Sequence, residues 1–262
     1  MPTVIRLADT GIDGMENLST TFGPFATELG RLTGTRVEFF PVSDRTAAIT
    51  ALQFRQLDLV LAGPSEYIML RNRLRVPPKP VAGIARDRYA TAFIVQADSP
   101  FQTIADLRGR RIAMKDPGST TGHLIPFVML REAGLDPDRD VTVRLLDGAR
   151  IEALVNGDVD ALASGLRDYD QLVRRFGEGR YRIIAESPTI PADVFIVRGD
   201  LPEEFQNKLK AVFKDHADTL LPLLQVGTNQ ERYRAGIRLV AADDSDYDVI
   251  REGYRLIGMN VQ

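Results

Sequence analysis

The sequence predicts an α/β fold of two lobes, each a mostly parallel sheet flanked by helices, with two strands as hinges. Three observations carry it. Short apolar, β-rich runs alternate with helix-period segments along most of the chain, as in successive βαβ units. Two polar breaks, Arg86-Asp87-Arg88-Tyr89 and Ser187-Pro188-Thr189-Ile190-Pro191-Ala192-Asp193, each lead straight into a strand-like run. The roughly one hundred residues they enclose have the size of an ordinary domain. The expected division is therefore a discontinuous first lobe, 1–88 and 194–262 with the C-terminal helices, and an inserted second lobe, 89–193.

Strands are expected at 4–7, 37–40, 57–61, 81–84, 90–95, 111–114, 141–145, 161–163, 182–185 and 194–197. Between them lie helical patterns. In 17–33, Leu18, Phe22, Phe25, Leu29 and Leu32 repeat near the 3.6-residue period, and Gly34 follows as a natural stop. Pro24 either kinks that helix or marks its start. Asp44 reads as the N-cap of 46–55 and Ser65 as that of 66–73, with further helices at 124–133, 149–156 and 166–176. After Val197 the pattern becomes helical almost without strands, at 202–224, 230–236 and 246–257, with Pro202 in a first-turn position. There is no fixed-period repeat and no low-complexity tract.

Composition narrows the function classes. The 262 residues are 44% hydrophobic and 26% charged, ordinary for a globular chain, with a formal net charge of −3. Near-balanced charge argues against nucleic-acid binding, which usually shows a basic face. The absence of cysteine removes disulfides, thiolate metal sites and cysteine nucleophiles. No apolar run approaches the roughly 20 residues of a membrane-spanning helix. Met1-Pro2-Thr3 leads almost directly into a strand with no signal peptide ahead of it, which reads either as a cytosolic protein or as the mature form of an exported one.

The most informative stretch is Asp116-Pro117-Gly118-Ser119-Thr120-Thr121-Gly122-His123, between a strand and a helix. A helix start presents backbone N–H groups and partial positive charge, so it attracts anions, and three consecutive hydroxyls there add donors for a tetrahedral oxyanion. Helix capping is the competing use of such residues. Gly63-Pro64-Ser65 places Ser65 and Glu66 at another helix mouth after the third strand, whereas the acids of Asp9-Thr10-Gly11-Ile12-Asp13-Gly14 would repel an anion if they faced it. His123 suits surface or packing as well as a ligand.

With its flanking stretches, this run resembles the phosphonate-binding motif of the phosphate/phosphite/phosphonate ABC-transporter substrate-binding proteins. Phe39-Phe40-Pro41-Val42-Ser43-Asp44, 57–67, Asn156-Gly157-Asp158-Val159-Asp160-Ala161 and Glu186-Ser187-Pro188-Thr189-Ile190-Pro191 fit in order. The likeness runs from the first strand to about residue 213. The resemblance implies a monomeric, two-lobed, type II periplasmic binding protein that needs no cofactor or metal. Such a protein captures a phosphorus oxyanion between its lobes by hinge closure and delivers it to an ABC permease. It also favours the exported, periplasmic alternative. By position, Ser119, Thr120 and Thr121 fall on the oxyanion-binding hydroxyls and Tyr89 on a hinge-side aromatic that reaches the ligand. Asp193 falls on a carboxylate that, in aminoethylphosphonate binders, helps to hold the amine.

Two departures bear on specificity. Arg45 stands where those binders carry a tyrosine, and Arg167 where they carry an amine-pairing glutamate. Both point to a ligand without an amine, such as phosphate, phosphite or a simple alkylphosphonate, although each arginine also suits a solvated first turn. Hydrogen bonds to charged groups contribute about 1.5–3 kcal/mol each. Three hydroxyls, a few backbone donors and one arginine thus support micromolar to nanomolar binding, roughly −8 to −12 kcal/mol. Two histidines, no H-E-x-x-H and no P-loop ending leave little material for an enzyme. A periplasmic ligand sensor feeding a kinase stays open beside transport.

Overall fold

The computed structural model of the protein describes residues 1–11, 14–42, 45–227, 229–233 and 236–261, without the side chains at 45, 46 and 231. Its chain divides into two compact units: residues 1–87 with 191–249, and residues 88–190 with 250–261.

The first unit is built on six strands: β1 (Val4–Asp9), β2 (Arg36–Phe39), β3 (Leu59–Ala62), β4 (Lys79–Arg86), and two that arrive late in the chain. These are β10 (Asp193–Val197) and β11 (Ile237–Val240), and the order across the sheet is β11-β4-β10-β3-β1-β2. The pairs β1–β2 and β1–β3 are parallel, whereas β10 runs antiparallel to both β3 and β4. The helix α1 (Met15–Thr33) lays Leu18, Phe22, Phe25 and Leu29, all fully buried, on this sheet. Phe25 stacks on Phe195 of β10 at 5.5 Å between centroids. Gly34 ends α1 in the left-handed conformation at φ 69°, as the sequence suggests. Pro24 lies inside α1, which starts earlier than expected, at Met15.

The second unit has the order β7-β6-β8-β5-β9, from β5 (Thr91–Gln96), β6 (Arg111–Met114), β7 (Thr142–Leu145), β8 (Ala161–Gly165) and β9 (Tyr181–Glu186). Only β5 opposes the common direction. Both faces of this sheet are covered. Phe93 and Val95 of β5 enter one apolar cluster, and Ala92 and Ile94 enter the other, following the two-residue alternation of a strand. The helices are α4 (Ile125–Glu132), α5 (Arg150–Val155) and α6 (Leu166–Phe176).

All ten expected strands are present; corrections gather in the C-terminal third. The expected 202–224 helix is two, α7 (Glu203–Asp215) and α8 (Ala217–Leu223), with Pro202 as the N-cap rather than in the first turn. The short α9 (Asn229–Arg232) gives way at Gly236 (φ 91°) to β11, which the sequence reading missed. The last helix, α10 (Asp248–Leu256), was expected with the first lobe, yet its residues from 250 onward cluster with the second unit. There Gly253 lies so near α4 that a Cβ on it would sit 3.3 Å from Val128. In the first unit, the remaining helices are α2 (Arg45–Gln53) and α3 (Pro64–Arg73). The N-cap of α3 is Gly63, with Pro64 at the first helical position, so Ser65 is inside the helix and does not cap it. The expected cap Asp44 lies outside the described residues.

Phe93, fully buried in β5, should cost about 3–5 kcal/mol on truncation to Ala, because the cavity cannot collapse between two covered sheet faces. Urea unfolding followed by circular dichroism checks this; a loss under about 1 kcal/mol would contradict the packing described.

Candidate functional site

In the second unit the anion motif follows β6. Gly118 sits at φ 100°, a region that side-chain-bearing residues rarely enter, and it turns the chain into the hydroxyl run. Ser119 is the N-cap, its Oγ accepting from the Gly122 N–H at 3.2 Å. The first turn is not α-helical. The Leu124 N–H donates to the Ser119 carbonyl at 3.0 Å, a five-residue step, and residues Thr120–Leu124 form a π turn before α4. Its cause is local. Pro126 has no N–H to give the Gly122 carbonyl, which instead accepts from the Lys115 N–H at 2.9 Å and ties the turn back to the end of β6.

The hydroxyls fare differently. Ser119 and Thr120 are buried, and Thr121 is half-buried. The Thr121 carbonyl accepts from the Thr91 hydroxyl at 2.9 Å, while its own hydroxyl makes no hydrogen bond among the described residues. That hydroxyl lies close to the start of α6: a Cβ added to Gly165 would be 3.2 Å from Thr121 Oγ1. Arg167, in the first turn of α6, is exposed. The adjacent Asp168 contrasts with it. It is buried, with Arg150 bidentate at 2.6 and 2.9 Å and the Ser164 hydroxyl donating at 2.5 Å. Burial pushes the Asp168 carboxyl up, but Arg150 and Ser164 outweigh it and hold it below the usual range. Arg150 also donates to the Asp147 carbonyl, and the Asp147 carboxylate meets the Lys115 ammonium at 3.4 Å.

Tyr89 is buried just before β5, and its carbonyl accepts from the Ile190 N–H at 2.8 Å. His123 stacks on Phe127 at 4.3 Å, and burial lowers its pKa against the opposing pull of Asp116 and Asp138. This packing accounts for the ring.

In the first unit, Ser65 is fully buried in α3. The next residue, Glu66, uses its carboxylate as the helix-start acceptor, taking the Gly63 N–H and the Thr10 hydroxyl, the latter at 2.8 Å. Asp193 opens β10 at 1% exposure and is already engaged. One of its oxygens accepts from Arg86 at 2.5 Å and from the Tyr233 hydroxyl at 2.7 Å, with Arg232 at 3.3 Å. Arg232 also binds both oxygens of Asp9, at 3.0 and 2.8 Å. The Tyr233 ring lies against both guanidinium groups, at 5.4 Å from Arg86 and 5.0 Å from Arg232. Burial raises the Asp9 carboxyl against the pull of Arg232. It also tends to raise Asp193, but Arg86, Arg232 and Tyr233 bring that group below its usual range. The acid of the first-strand loop thus carries its own counter-charge. Arg45 opens α2, but its side chain lies outside the described residues.

The sequence reading did not single out Lys115, Arg86, Arg232 or Tyr233. Only Lys115, one residue before the motif, carried a local signal.

Asp168 yields a test. Asp168→Asn should cost about 3–5 kcal/mol at neutral pH by stranding a buried guanidinium. The folded carboxyl lies below its reference value of 3.8, so its contribution is full above that pH and lost as pH falls through the folded value. The gap between wild type and variant in urea unfolding should therefore close on acidification below about pH 4. A gap that stays constant to pH 2–3 would contradict the assignment.

Comparisons with known proteins agree with this architecture. Residues 14–247 match the family model for the phosphonate ABC-transporter periplasmic substrate-binding protein. The phosphate-import protein PhnD of Mycolicibacterium smegmatis is 25% identical over 237 residues, 83% of this chain and 73% of that protein. The phosphonates-binding periplasmic protein of Escherichia coli is 25% identical over 217 residues, 79% of this chain but 64% of its own length. Among solved structures, PhnD1 from Prochlorococcus marinus in complex with methylphosphonate superposes with a TM-score of 0.75 at 20% identity, over 97% of each chain. XAC2383 from Xanthomonas citri bound to ATP superposes with a TM-score of 0.77 at 20% identity, again over 97% of each. The fold is that of the type II periplasmic binding proteins, and the chain belongs to the phosphonate ABC-transporter periplasmic substrate-binding family.

Proposed function

We propose that this protein captures a small phosphorus oxyanion lacking an amine (phosphate, phosphite or a simple alkylphosphonate) in a cleft between its two units and delivers it to the permease of an ABC importer. In this reading it works in the periplasm as a monomer and catalyses no reaction. The observation that carries it is the hydroxyl run at the π turn: a Ser119 cap, buried Thr120 and a Thr121 hydroxyl with no hydrogen-bond partner among the described residues, all before α4. A dianion requires many donors to replace its lost hydration, and this turn concentrates them. Relatives named for phosphate import and a structural neighbour holding methylphosphonate support the ligand class.

Ser119, Thr120 and Thr121 hold the phosphorus-bound oxygens, and Arg45 and Ser65 contribute from the starts of α2 and α3. Tyr89 and Arg167 limit what the fourth substituent can be. Asp193 lines the hinge, but Arg86 and Arg232 already answer its charge, so it offers an amine little net attraction. That supports a ligand without one.

Titration calorimetry with phosphate, phosphite and methylphosphonate should show binding of at least one. The double variant Thr120→Ala/Thr121→Ala should weaken it by about 3 kcal/mol or more. Absence of heat with all three at roughly 100 μM protein would overturn the assignment, and unchanged affinity in the variant would return the hydroxyls to capping. Arg167→Glu should lose affinity for the anion and gain some for aminoethylphosphonate; no change in either would place Arg167 away from the ligand.

A further inference from the structure

The Thr121–Gly122 peptide lies within the hydroxyl run, and both of its polar atoms are bonded. Its carbonyl accepts from the Thr91 hydroxyl at 2.9 Å, and its N–H donates to Ser119 Oγ at 3.2 Å. A carbonyl cannot donate, so the Thr91 proton points into this bond. Ser119 Oγ accepts from the peptide, which leaves its own proton for another partner. Hydrogen bonds in series polarise one another, so that O–H becomes a stronger donor. Thr91 is itself fully buried at the start of β5, and it therefore acts on this site through the turn.

Thr91 is held from two sides. Across β5 and β8 it pairs with Gly165, the residue whose added Cβ would lie 3.2 Å from Thr121 Oγ1. One member of this pair thus holds the Thr121 carbonyl and the other lies close to its side chain. On the β9 side, the ladder pair of Ala92 and Glu186 is followed by one further step. The Ser187 N–H donates to the Thr91 carbonyl at 2.9 Å, and Ser187 Oγ accepts from the Thr91 N–H at 3.0 Å. A side chain here takes the place of a ladder carbonyl, and it is fixed in turn by donating to the Pro188 carbonyl at 2.8 Å. With both backbone groups engaged and a stiff, β-branched side chain, the Thr91 hydroxyl has little freedom to leave Thr121.

We infer that Thr91 is a positioning residue of the oxyanion site: through the Thr121–Gly122 peptide its hydroxyl aims the Ser119 and Thr121 hydroxyls, and Ser187 locks it in place. This rests on the anion-binding reading of Ser119–Thr121 and adds to it two residues outside the motif that set its affinity. The hydroxyls so aimed serve the oxygens that all phosphorus oxyanions share. Loss of Thr91 therefore weakens each such anion alike and leaves their ranking unchanged.

Calorimetry on the intact protein with inorganic phosphate, phosphite and methylphosphonate, beside thermal melting, tests it. Thr91→Val keeps the branched shape and removes the hydroxyl. It should weaken every anion that the wild type binds by about tenfold, the factor one hydrogen bond supplies, with their order of affinity kept. Thr91→Ser keeps the hydroxyl and drops a buried methyl, so it should lower the melting temperature yet bind within about twofold of wild type. A purely structural role predicts the reverse, with affinity following stability across both variants. Ser187→Ala should weaken binding about threefold, and it decides the matter should Thr91→Val not fold. Wild-type affinity in Thr91→Val or in Ser187→Ala would overturn the inference, as would a Thr91→Ser loss as large as that of Thr91→Val. If the wild type binds none of the three anions, the anion-binding reading itself fails, an outcome distinct from binding that ignores Thr91.

Discussion

The Gly122 carbonyl has no helical donor, because the residue four places on is Pro126. In a regular helix that carbonyl would accept from the proline position; here it accepts from Lys115, at the end of the preceding strand. The exchange opens the first turn to π geometry and fastens the turn to β6. It also lays the Lys115 stem on Gly122, and so requires both a glycine and a proline at their positions. The hydroxyl run is therefore held by a backbone constraint together with the Ser119 cap. The Thr121 hydroxyl makes no hydrogen bond among the described residues.

Charge is handled by the same economy of partners. In the first unit, Asp9 has one arginine and Asp193 has two with a tyrosine, and the carboxyl groups respond in opposite directions: burial wins at Asp9, and the cations win at Asp193. In the second unit, Asp168 repeats the Asp193 solution with Arg150 and Ser164. Asp9, Asp193 and Asp168 are each met by a guanidinium, with Arg232 shared between Asp9 and Asp193. Removing one partner of such a pair typically costs about 3–5 kcal/mol, far more than an exposed ion pair contributes. The loops at the strand ends are thereby fixed by interactions that leave little net negative charge to repel an anion.

What the sequence revealed follows the range of the interactions. Ten strands were legible, and those buried almost throughout, such as β5 and β6, appear as apolar runs. The strand β11 was not read, because Ile237-Arg238-Leu239-Val240 is a short run set among segments with helical patterning. The cap of α3 was misread although its signal was present: Pro64 at the first helical position places the cap one residue earlier, at Gly63. The hydroxyl motif was legible because its parts are adjacent.

The charge pairs were not legible, for a different physical reason. Arg232 and Asp9 are 223 residues apart, Tyr233 and Asp193 are 40 apart, and nothing local marks either arginine as buried. Their register depends on β11 and α9 folding back to the sheet, and those were the elements least visible in the sequence. The proposed ligand class depends on the same pairing. Asp193 read alone suggests an amine partner, whereas in the tertiary arrangement the guanidinium groups of Arg86 and Arg232 already answer its charge.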